Sequence, residues 1–248
     1  MRAGRTTLSA TALLLAVAPV LTACSGGGAS HGSAKPVALG TSPLRNPDGT
    51  RPGLAPITSD ADRKAARDLI GKVTTAAAGP KTGYDRDQFG PAWTDNVDGV
   101  PFGHNSCSTR DDMLARDGRS LEHRDGSACV VSAMTIYDPY IGKNVRWTKQ
   151  QPARIQIDHV MPLSYDWQMG AAKWDKAKRV EIANDPLNLI PADGSQNAAK
   201  GDSGPASWLP SNPAVRCSYA VRFAQVSLKY QLPVTPDDKK AMLRQCGA

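Results

Sequence analysis

IQIDHVMPLS, residues 155–164, is the stretch on which the interpretation of this chain depends. Apolar and polar residues alternate from Arg154 to Ile157, which is typical of a β-strand with one buried face. The strand places a carboxylate and an imidazole, Asp158 and His159, side by side at its end. Because an imidazole can take a proton from water near neutral pH, this strand end is a candidate catalytic position.

Two polar segments follow, NDPLNL at residues 184–189 and DGSQNAAKGD at residues 193–202. Asn197 and Lys200 in the second segment are about one helical turn apart and would lie near the same helical face. Three elements are predicted in this part of the chain: a helix over 171–182, a short strand over 187–191 and a short helix over 195–200.

The combination D-H-x-x-P-x-S, N-x₈-N and N-x-x-K resembles the HNH endonuclease superfamily. The added N-D-P-x-N-L and K-G-D context resembles its DUF1524-type branch, which is shared with the C-terminal region of some modification-dependent restriction enzymes of the GmrSD type. The resemblance is strong over residues 155–202 and extends across about 84–246. It implies an α+β fold with a ββα-metal (HNH) core, an insertion between the two core strands, a preceding hairpin and flanking helices.

The resemblance also implies a role for each matching residue. His159 would be the general base, Asp158 and Asn197 would be metal ligands, and Asn188 would tie down the loop that carries the base. Lys200 could contact phosphate. One carboxylate and one amide oxygen form a sparse set of hard ligands, which favours Mg²⁺, with Mn²⁺ possible, over a closed zinc cage.

Each of these residues also has a structural interpretation when it is considered alone. Asn188 and Asn197 could be turn or cap residues, which asparagine favours, and Lys200 could be a solvated surface lysine. Arg86 and Arg110 could clamp phosphates or form surface salt bridges. Two histidines are expected to have no catalytic role, His104 as a hydrogen-bonding loop residue and His123 as a surface residue, and the five tryptophans are most simply packing residues.

The N-terminal residues resemble an export signal. Residues 1–23 have a basic start and a short apolar run, as in a signal peptide, and the last four residues before and including Cys24 resemble a bacterial lipobox. Cys24 would then be lipidated and anchor the protein to the outer face of a bacterial membrane. The alternative is an ordinary signal peptide that leaves Cys24 as a free thiol. Residues 24–58, rich in Gly, Ser, Pro and Ala, are predicted to be a flexible linker, and 59–248 the folded domain.

The remaining four cysteines predict disulfides. An even number in an exported chain favours two bridges. Three pairings are possible, and the local ones, Cys107–Cys129 and Cys217–Cys246, are favoured. A zinc site is the weaker alternative, because no CxxC spacing is present.

The rest of the chain predicts mostly helices around one hairpin. A helix should begin after Ser59 and end before Gly79-Pro80, and residues 81–128 are rich in turn-forming residues. The other predicted elements are a short helix over 109–116, a hairpin formed by 130–137 and 144–148, and closing helices over 213–230 and 236–246.

Charge and motifs together suggest a nucleic-acid substrate. The formal net charge of +7 includes Arg2 and Arg5, and removing those two lowers it to +5. A basic exported protein suits a polyanion, here DNA more than RNA, although charge alone is weak evidence. The interpretation is an exported, metal-dependent endonuclease of low sequence specificity with no obligate protein partner. The alternatives are a non-catalytic DNA-binding envelope lipoprotein and a structural envelope lipoprotein.

Overall fold

The computed structural model describes residues 40–247, so the predicted signal peptide and Cys24 lie outside the described residues. Within 40–247 the protein has the mixed α+β fold that the sequence predicts, with seven α-helices and two small sheets. The strands are β1 (Gly118–His123), β2 (Val131–Asp138), β3 (Lys143–Thr148), β4 (Ile155–His159) and β5 (Leu189–Asp193). The helices are α1 (Asp60–Gly71), α2 (Thr109–Asp117), α3 (Leu163–Met169), α4 (Lys176–Asn184), α5 (Gly194–Lys200), α6 (Arg216–Tyr230) and α7 (Pro236–Gln245).

The first sheet is antiparallel, in the order β1-β2-β3. The predicted hairpin forms β2 and β3, with Met134 opposite Trp147 in the register and both side chains buried. Strand β1 differs from the sequence prediction, which places turns in this region. It is an edge strand with irregular pairing to β2 between Arg119 and His123, and its largely exposed side chains give no alternating pattern.

The second sheet contains only β4 and β5, which pair antiparallel with Asp158 opposite Ile190 and His159 opposite Leu189. Helix α5 follows β5 directly. The carboxylate of Asp193 accepts from the backbone N–H groups of Ser195 and Gln196, both at 3.0 Å, and so caps the helix. A Cβ atom at Gly194 would lie 1.9 Å from the carbonyl oxygen of Ala153, so only glycine allows α5 to pack this closely beside β4.

The insertion between β4 and β5 covers residues 160–188 and differs from the prediction. The helix expected over 171–182 corresponds to α4, which begins only at Lys176, and a further helix, α3, precedes it without a sequence prediction. Gly170, with a φ of 138°, ends α3 in a backbone conformation that other residues rarely adopt. Asp175 then caps α4 by accepting from the Lys178 N–H at 2.8 Å.

The folded part also begins earlier than the predicted boundary at residue 59. Leu54 and Ile57, placed by sequence in the flexible linker, are 1% and 3% exposed in the main core. Helix α6 fixes this segment through the hydroxyl of Ser218, which donates to the Ala55 carbonyl at 2.6 Å. Burying a side chain of this size contributes about 1.5–3 kcal/mol, so isolated apolar residues can order a segment that has no periodic pattern.

Two disulfides close local loops, and both are the pairings that the sequence favours. Cys107–Cys129 links the turn-rich segment to the residues that precede β2, with Cα atoms 5.3 Å apart. Cys217–Cys246 links the start of α6 to the end of α7, with Cα atoms 4.8 Å apart. Because α6 is buried along most of its length, the second bridge fastens the C-terminal helix to the centre of the main core.

Among residues 40–247, none of the helices combines the length and the apolar character needed to cross a membrane.

Candidate active site

The residues at the end of β4 line an open cleft of about 180 Å³. One wall comes from β4 and α5 and contains Asp158, His159 and Asn197. The opposite wall comes from the turn-rich segment and contains Tyr84, Arg86 and Trp93. The cleft therefore brings together four predicted site residues, Asp158, His159, Asn197 and Arg86.

A hydrogen bond at one ring nitrogen orients the side chain of His159. Its Nε2 lies 2.9 Å from the carbonyl oxygen of Ala183. A carbonyl can only accept, so in the neutral ring the proton is on Nε2 and Nδ1 carries the lone pair. Within residues 40–247, Nδ1 has no hydrogen-bond partner. The side chain lines the cleft, so this lone pair is the group available for accepting a proton.

Burial lowers the pKa of His159 to about 3, and the nearby positive charge of Arg86 acts in the same direction. The imidazole is therefore neutral across the physiological pH range, which is the state a base must have.

Asp158 is 3% exposed and both of its carboxylate oxygens accept hydrogen bonds. Oδ1 accepts from Nζ of Lys200 at 2.8 Å, and Oδ2 accepts from the hydroxyl of Tyr140 at 2.7 Å. Burial raises the pKa of Asp158, while both partners favour the ionised form and oppose that shift. The carboxylate is thus fixed in one orientation from two sides.

The predicted role of Lys200 in contacting phosphate is wrong. Its side chain is 1% exposed, and its ammonium group donates to Asp158 and, at 2.6 Å, to the main-chain carbonyl of His159. Since α5 packs closely against β4, Lys200 points into the protein and not into the cleft. It stabilises the end of β4 and supplies the counter-charge for Asp158.

Asn188 is fully buried beside the loop that follows His159. Its Oδ1 accepts from the Met161 N–H at 2.8 Å and its Nδ2 donates to the Met161 carbonyl at 3.2 Å. The main-chain carbonyl of Asn188 accepts in addition from the Val160 N–H at 2.8 Å. These contacts join the end of the insertion to the loop that follows β4. Contacts at this place are what the orienting role expected of Asn188 requires.

Asn197, on α5, is partly buried and lines the cleft. Its Nδ2 donates to Oε1 of Gln156 at 2.9 Å. Within the described residues its Oδ1 has no hydrogen-bond partner and is free to accept a ligand. Asn197 and Asp158 therefore offer oxygen atoms to the same cleft.

This donor set fits a hard divalent cation that keeps most of its own waters. Asp158 and Asn197 provide only oxygen, and each carboxylate oxygen of Asp158 has a second lone pair. The ammonium of Lys200 reduces the charge available to a cation, so the protein alone would bind it weakly. In the part of the chain that the structure describes, no cluster of three or more His, Cys, Asp or Glu side chains forms a closed metal cage.

The two arginines proposed as phosphate clamps differ in position. Arg86 is exposed at the rim of the cleft, with its guanidinium carbon 5.7 Å from the centre of the Trp93 ring. Arg110 is not among the residues that line the cleft. It packs over Trp147 at 5.9 Å and its Nη2 lies 3.4 Å from the Ile155 carbonyl. The prediction for Arg110 is corrected to a structural role against β4.

Sequence reasoning missed two residues that touch the site, Tyr140 and Trp93. Tyr140 follows β2 in the hairpin turn, far along the chain from Asp158, and nothing in its local pattern indicates the contact. Trp93 stacks on the His159 ring with centroids 5.5 Å apart and planes 12° apart. The sequence gives no reason to distinguish Trp93 from the other four tryptophans. His104 is a loop residue as expected, with Nε2 2.8 Å from Asp98.

A known protein family matches the C-terminal part of the chain. Residues 108–245, more than half of the chain, match the family described as GmrSD restriction endonucleases, C-terminal domain. The class of protein is therefore a nuclease-related domain. The chain belongs to the GmrSD C-terminal domain family, which confirms that part of the resemblance seen in the sequence.

A relative in the fungus Arthroderma benhamiae, described as an uncharacterized secreted protein, is 38% identical over 186 residues. The match covers 73% of this chain and 84% of the fungal protein. No solved structure matches the chain significantly. The secreted relative agrees with export of this chain, and the lipid anchor at Cys24 remains a prediction.

Proposed function

We propose that this protein is an exported, metal-dependent endonuclease that hydrolyses phosphodiester bonds, with His159 as the general base. The observation that carries this proposal is the orientation of His159. Its Nε2–H is committed to the Ala183 carbonyl, so the lone pair of Nδ1 is left for the cleft that Asp158 and Asn197 also line.

In the proposed reaction Nδ1 of His159 takes a proton from a water molecule as the water oxygen attacks phosphorus. The bond from phosphorus to the 3′-oxygen breaks, and the leaving oxygen takes a proton from solvent. The products are a 5′-phosphate and a 3′-hydroxyl. General-base catalysis of this kind contributes about 10²–10⁴-fold to the rate.

Asp158 and Asn197 are the residues that would hold Mg²⁺ or Mn²⁺, which would supply charge neutralisation at the phosphate and the leaving oxygen. Lys200 and Tyr140 orient Asp158 toward this position. Asn188 keeps the loop after His159 in place through Met161. Arg86, at the exposed rim, is positioned to bind a phosphate oxygen by charge-assisted hydrogen bonds.

Low sequence specificity and a preference for DNA are the substrate properties we propose. The cleft residues are suited to contacts with the phosphate backbone, and such contacts carry no base information. The cellular location is proposed to be the outer face of the membrane through a lipid on Cys24, or the medium after secretion. The secreted relative supports export.

The test is cleavage of supercoiled plasmid by the purified, oxidised chain with Mg²⁺ or Mn²⁺, compared with EDTA and with His159→Ala. The proposal predicts nicked and then linear DNA, with both products lost in EDTA and in the variant. Folded protein that cleaves neither DNA nor RNA with either metal would contradict it. A gel shift on the same DNA would then support the alternative of a non-catalytic binding protein.

A further inference from the structure

We propose that Trp93 is a positioning residue for the base: its indole fixes the plane of the His159 imidazole so that Nδ1 faces the cleft. This inference rests on the proposed nuclease function. Trp93 lies outside residues 108–245, the range that matches the family, and none of the roles implied by the resemblance includes it.

The contact between the two rings is a parallel stack. Their centroids are 5.5 Å apart and their planes differ by 12°. The hydrogen bond from Nε2 to the Ala183 carbonyl fixes one edge of the imidazole but still permits rotation about that bond. A flat indole against the face of the ring removes this rotation, so the two contacts together define one orientation.

The backbone of Trp93 provides a second, independent observation. Its φ is 59°, in the left-handed region that bulky side chains rarely occupy. A conformation of this kind costs of order 1–3 kcal/mol and persists only where surrounding contacts impose it, most often at functional sites. Here it directs the indole onto His159.

Contacts with helix α2 impose this conformation. The Thr109 N–H donates to the Trp93 carbonyl at 3.3 Å. The Thr109 hydroxyl lies 3.0 Å from the Thr94 carbonyl and 3.1 Å from the side-chain oxygen of Asn184. Asn184 is the neighbour of Ala183, the residue that accepts from His159. Thr109 therefore links two parts of the site. One is the segment with Trp93, which covers the face of the His159 ring, and the other is the end of α4, where Ala183 accepts from Nε2.

A competing role for Trp93 is stacking on a nucleic-acid base at the cleft. The two roles differ in their kinetic effect. Loss of a stacking contact with substrate weakens binding and raises KM, whereas loss of a positioning contact lowers kcat, because the base is misaligned in the transition state.

The experiment compares Trp93→Ala, Trp93→Leu and Trp93→Phe with Trp174→Ala, a matched control at which Lys178 covers a ring remote from the cleft residues. Steady-state cleavage of plasmid gives kcat and KM. We expect kcat to fall about 100-fold in the Ala and Leu variants, the size expected for a misplaced catalytic group. The Phe variant, which restores a flat ring, should recover most of the rate. Trp174→Ala should retain the wild-type kcat.

A second readout does not depend on activity. In ¹⁵N NMR spectra the wild-type His159 should show a single neutral tautomer protonated on Nε2, with ring protons shifted by the stacked indole. Trp93→Leu keeps apolar bulk if the Ala variant does not fold, and should show exchange between orientations. Trp93→Phe should keep the single tautomer.

The possible outcomes are distinct. A wild-type kcat in folded Trp93→Leu with an unchanged His159 spectrum would overturn the positioning role, and so would a rise in KM alone. An inactive wild-type protein with a His159 spectrum that changes in Trp93→Leu would contradict the nuclease proposal while supporting the positioning role.

Discussion

Residues 81–107 and 155–202 form opposite walls of one cleft, but they are built in different ways. The second region holds its polar side chains through buried hydrogen bonds, as in the contacts of Asp158 with Lys200 of α5 and with Tyr140 of the β2–β3 turn. The first region has little regular structure and is fixed by backbone turns, by Thr109 and by the Cys107–Cys129 bridge. The proposed catalytic and metal-binding groups would thus lie on the regular core, whereas the irregular wall would determine the shape of the cleft.

This comparison predicts that changes to the buried contacts of the core wall mainly affect stability, whereas changes to side chains that face the cleft, on either wall, mainly affect turnover, metal requirement or substrate binding.

Lys200→Met should lower the free energy of unfolding by about 3–5 kcal/mol, because it leaves the buried carboxylate of Asp158 without its counter-charge. Chemical denaturation of the oxidised chain measures this loss. Lys81→Met is the matched control: its ion pair with Asp202 is half exposed, and the expected loss is at most about 1 kcal/mol. Adding Asp158→Asn to Lys200→Met should recover part of the loss. An equal loss of unfolding free energy in the two variants would contradict the role of Lys200 as the buried counter-charge of Asp158.

Asp138→Asn tests the buried link between the two sheets as a function of pH. Asp138 accepts from the Asp193 N–H at 2.6 Å and the Tyr140 N–H at 2.7 Å, and burial raises its pKa to about 6. A raised carboxyl pKa contributes stability that is present below pH 3.8 and is lost as the pH rises through 6. The wild type should therefore lose about 2–3 kcal/mol relative to the variant between pH 4 and pH 7.

Denaturant titrations of both proteins at intervals across that range provide the measurement. Above pH 7 the difference in unfolding free energy should be constant. A difference that does not vary with pH would show that Asp138 has the same pKa in the folded and unfolded states.

Asn188→Ala should destabilise the protein by about 1–3 kcal/mol, because the buried Met161 N–H loses its acceptor. Asn197→Ala is its counterpart in the cleft, where only one contact with Gln156 is lost, and it should change stability by less than about 1 kcal/mol. Titration of cleavage with Mn²⁺ should show the reverse order, with the metal requirement raised most by Asn197→Ala. An unchanged requirement in that variant would remove Asn197 from the proposed ligand set.

Arg86→Ala should raise KM about tenfold, which corresponds to about 1.4 kcal/mol, through loss of a charge-assisted contact with phosphate. Arg110→Ala is the matched control and should leave KM unchanged, since Arg110 packs on Trp147 away from the cleft. Salt titration of KM extends the test: the salt dependence should be shallower for Arg86→Ala than for the wild type. A raised KM in Arg110→Ala with an unchanged KM in Arg86→Ala would contradict the proposal that Arg86, and not Arg110, binds phosphate.

The two walls also differ in how well the sequence predicts them. Residues 155–202 could be interpreted from sequence because their strand and helix patterns are local and the polar motif has fixed spacing. The exceptions there depend on tertiary packing. Lys200 is buried because α5 approaches β4 at Gly194, and no local signal distinguishes it from a surface lysine.

Residues 40–58 and 81–128 were predicted less well, for a physical reason. Leu54 and Ile57 are isolated apolar residues whose burial depends on α6, far along the chain, and the edge strand β1 shows no alternation. The stack of Trp93 on His159 joins an irregular segment to the end of β4, far along the chain. Contacts of this kind form by packing between distant segments and are not encoded in any local pattern.

The most direct test of the central claim is chemical rescue of the proposed base. His159→Gly should fold, bind DNA and cleave at least about 100-fold more slowly than the wild type, since a general base contributes about 10²–10⁴-fold. Free imidazole added at neutral pH, in the presence of Mg²⁺ or Mn²⁺, should restore cleavage in proportion to its concentration while leaving the wild-type rate unchanged. Cleavage by His159→Gly at the wild-type rate without imidazole would contradict the assignment of His159 as the base.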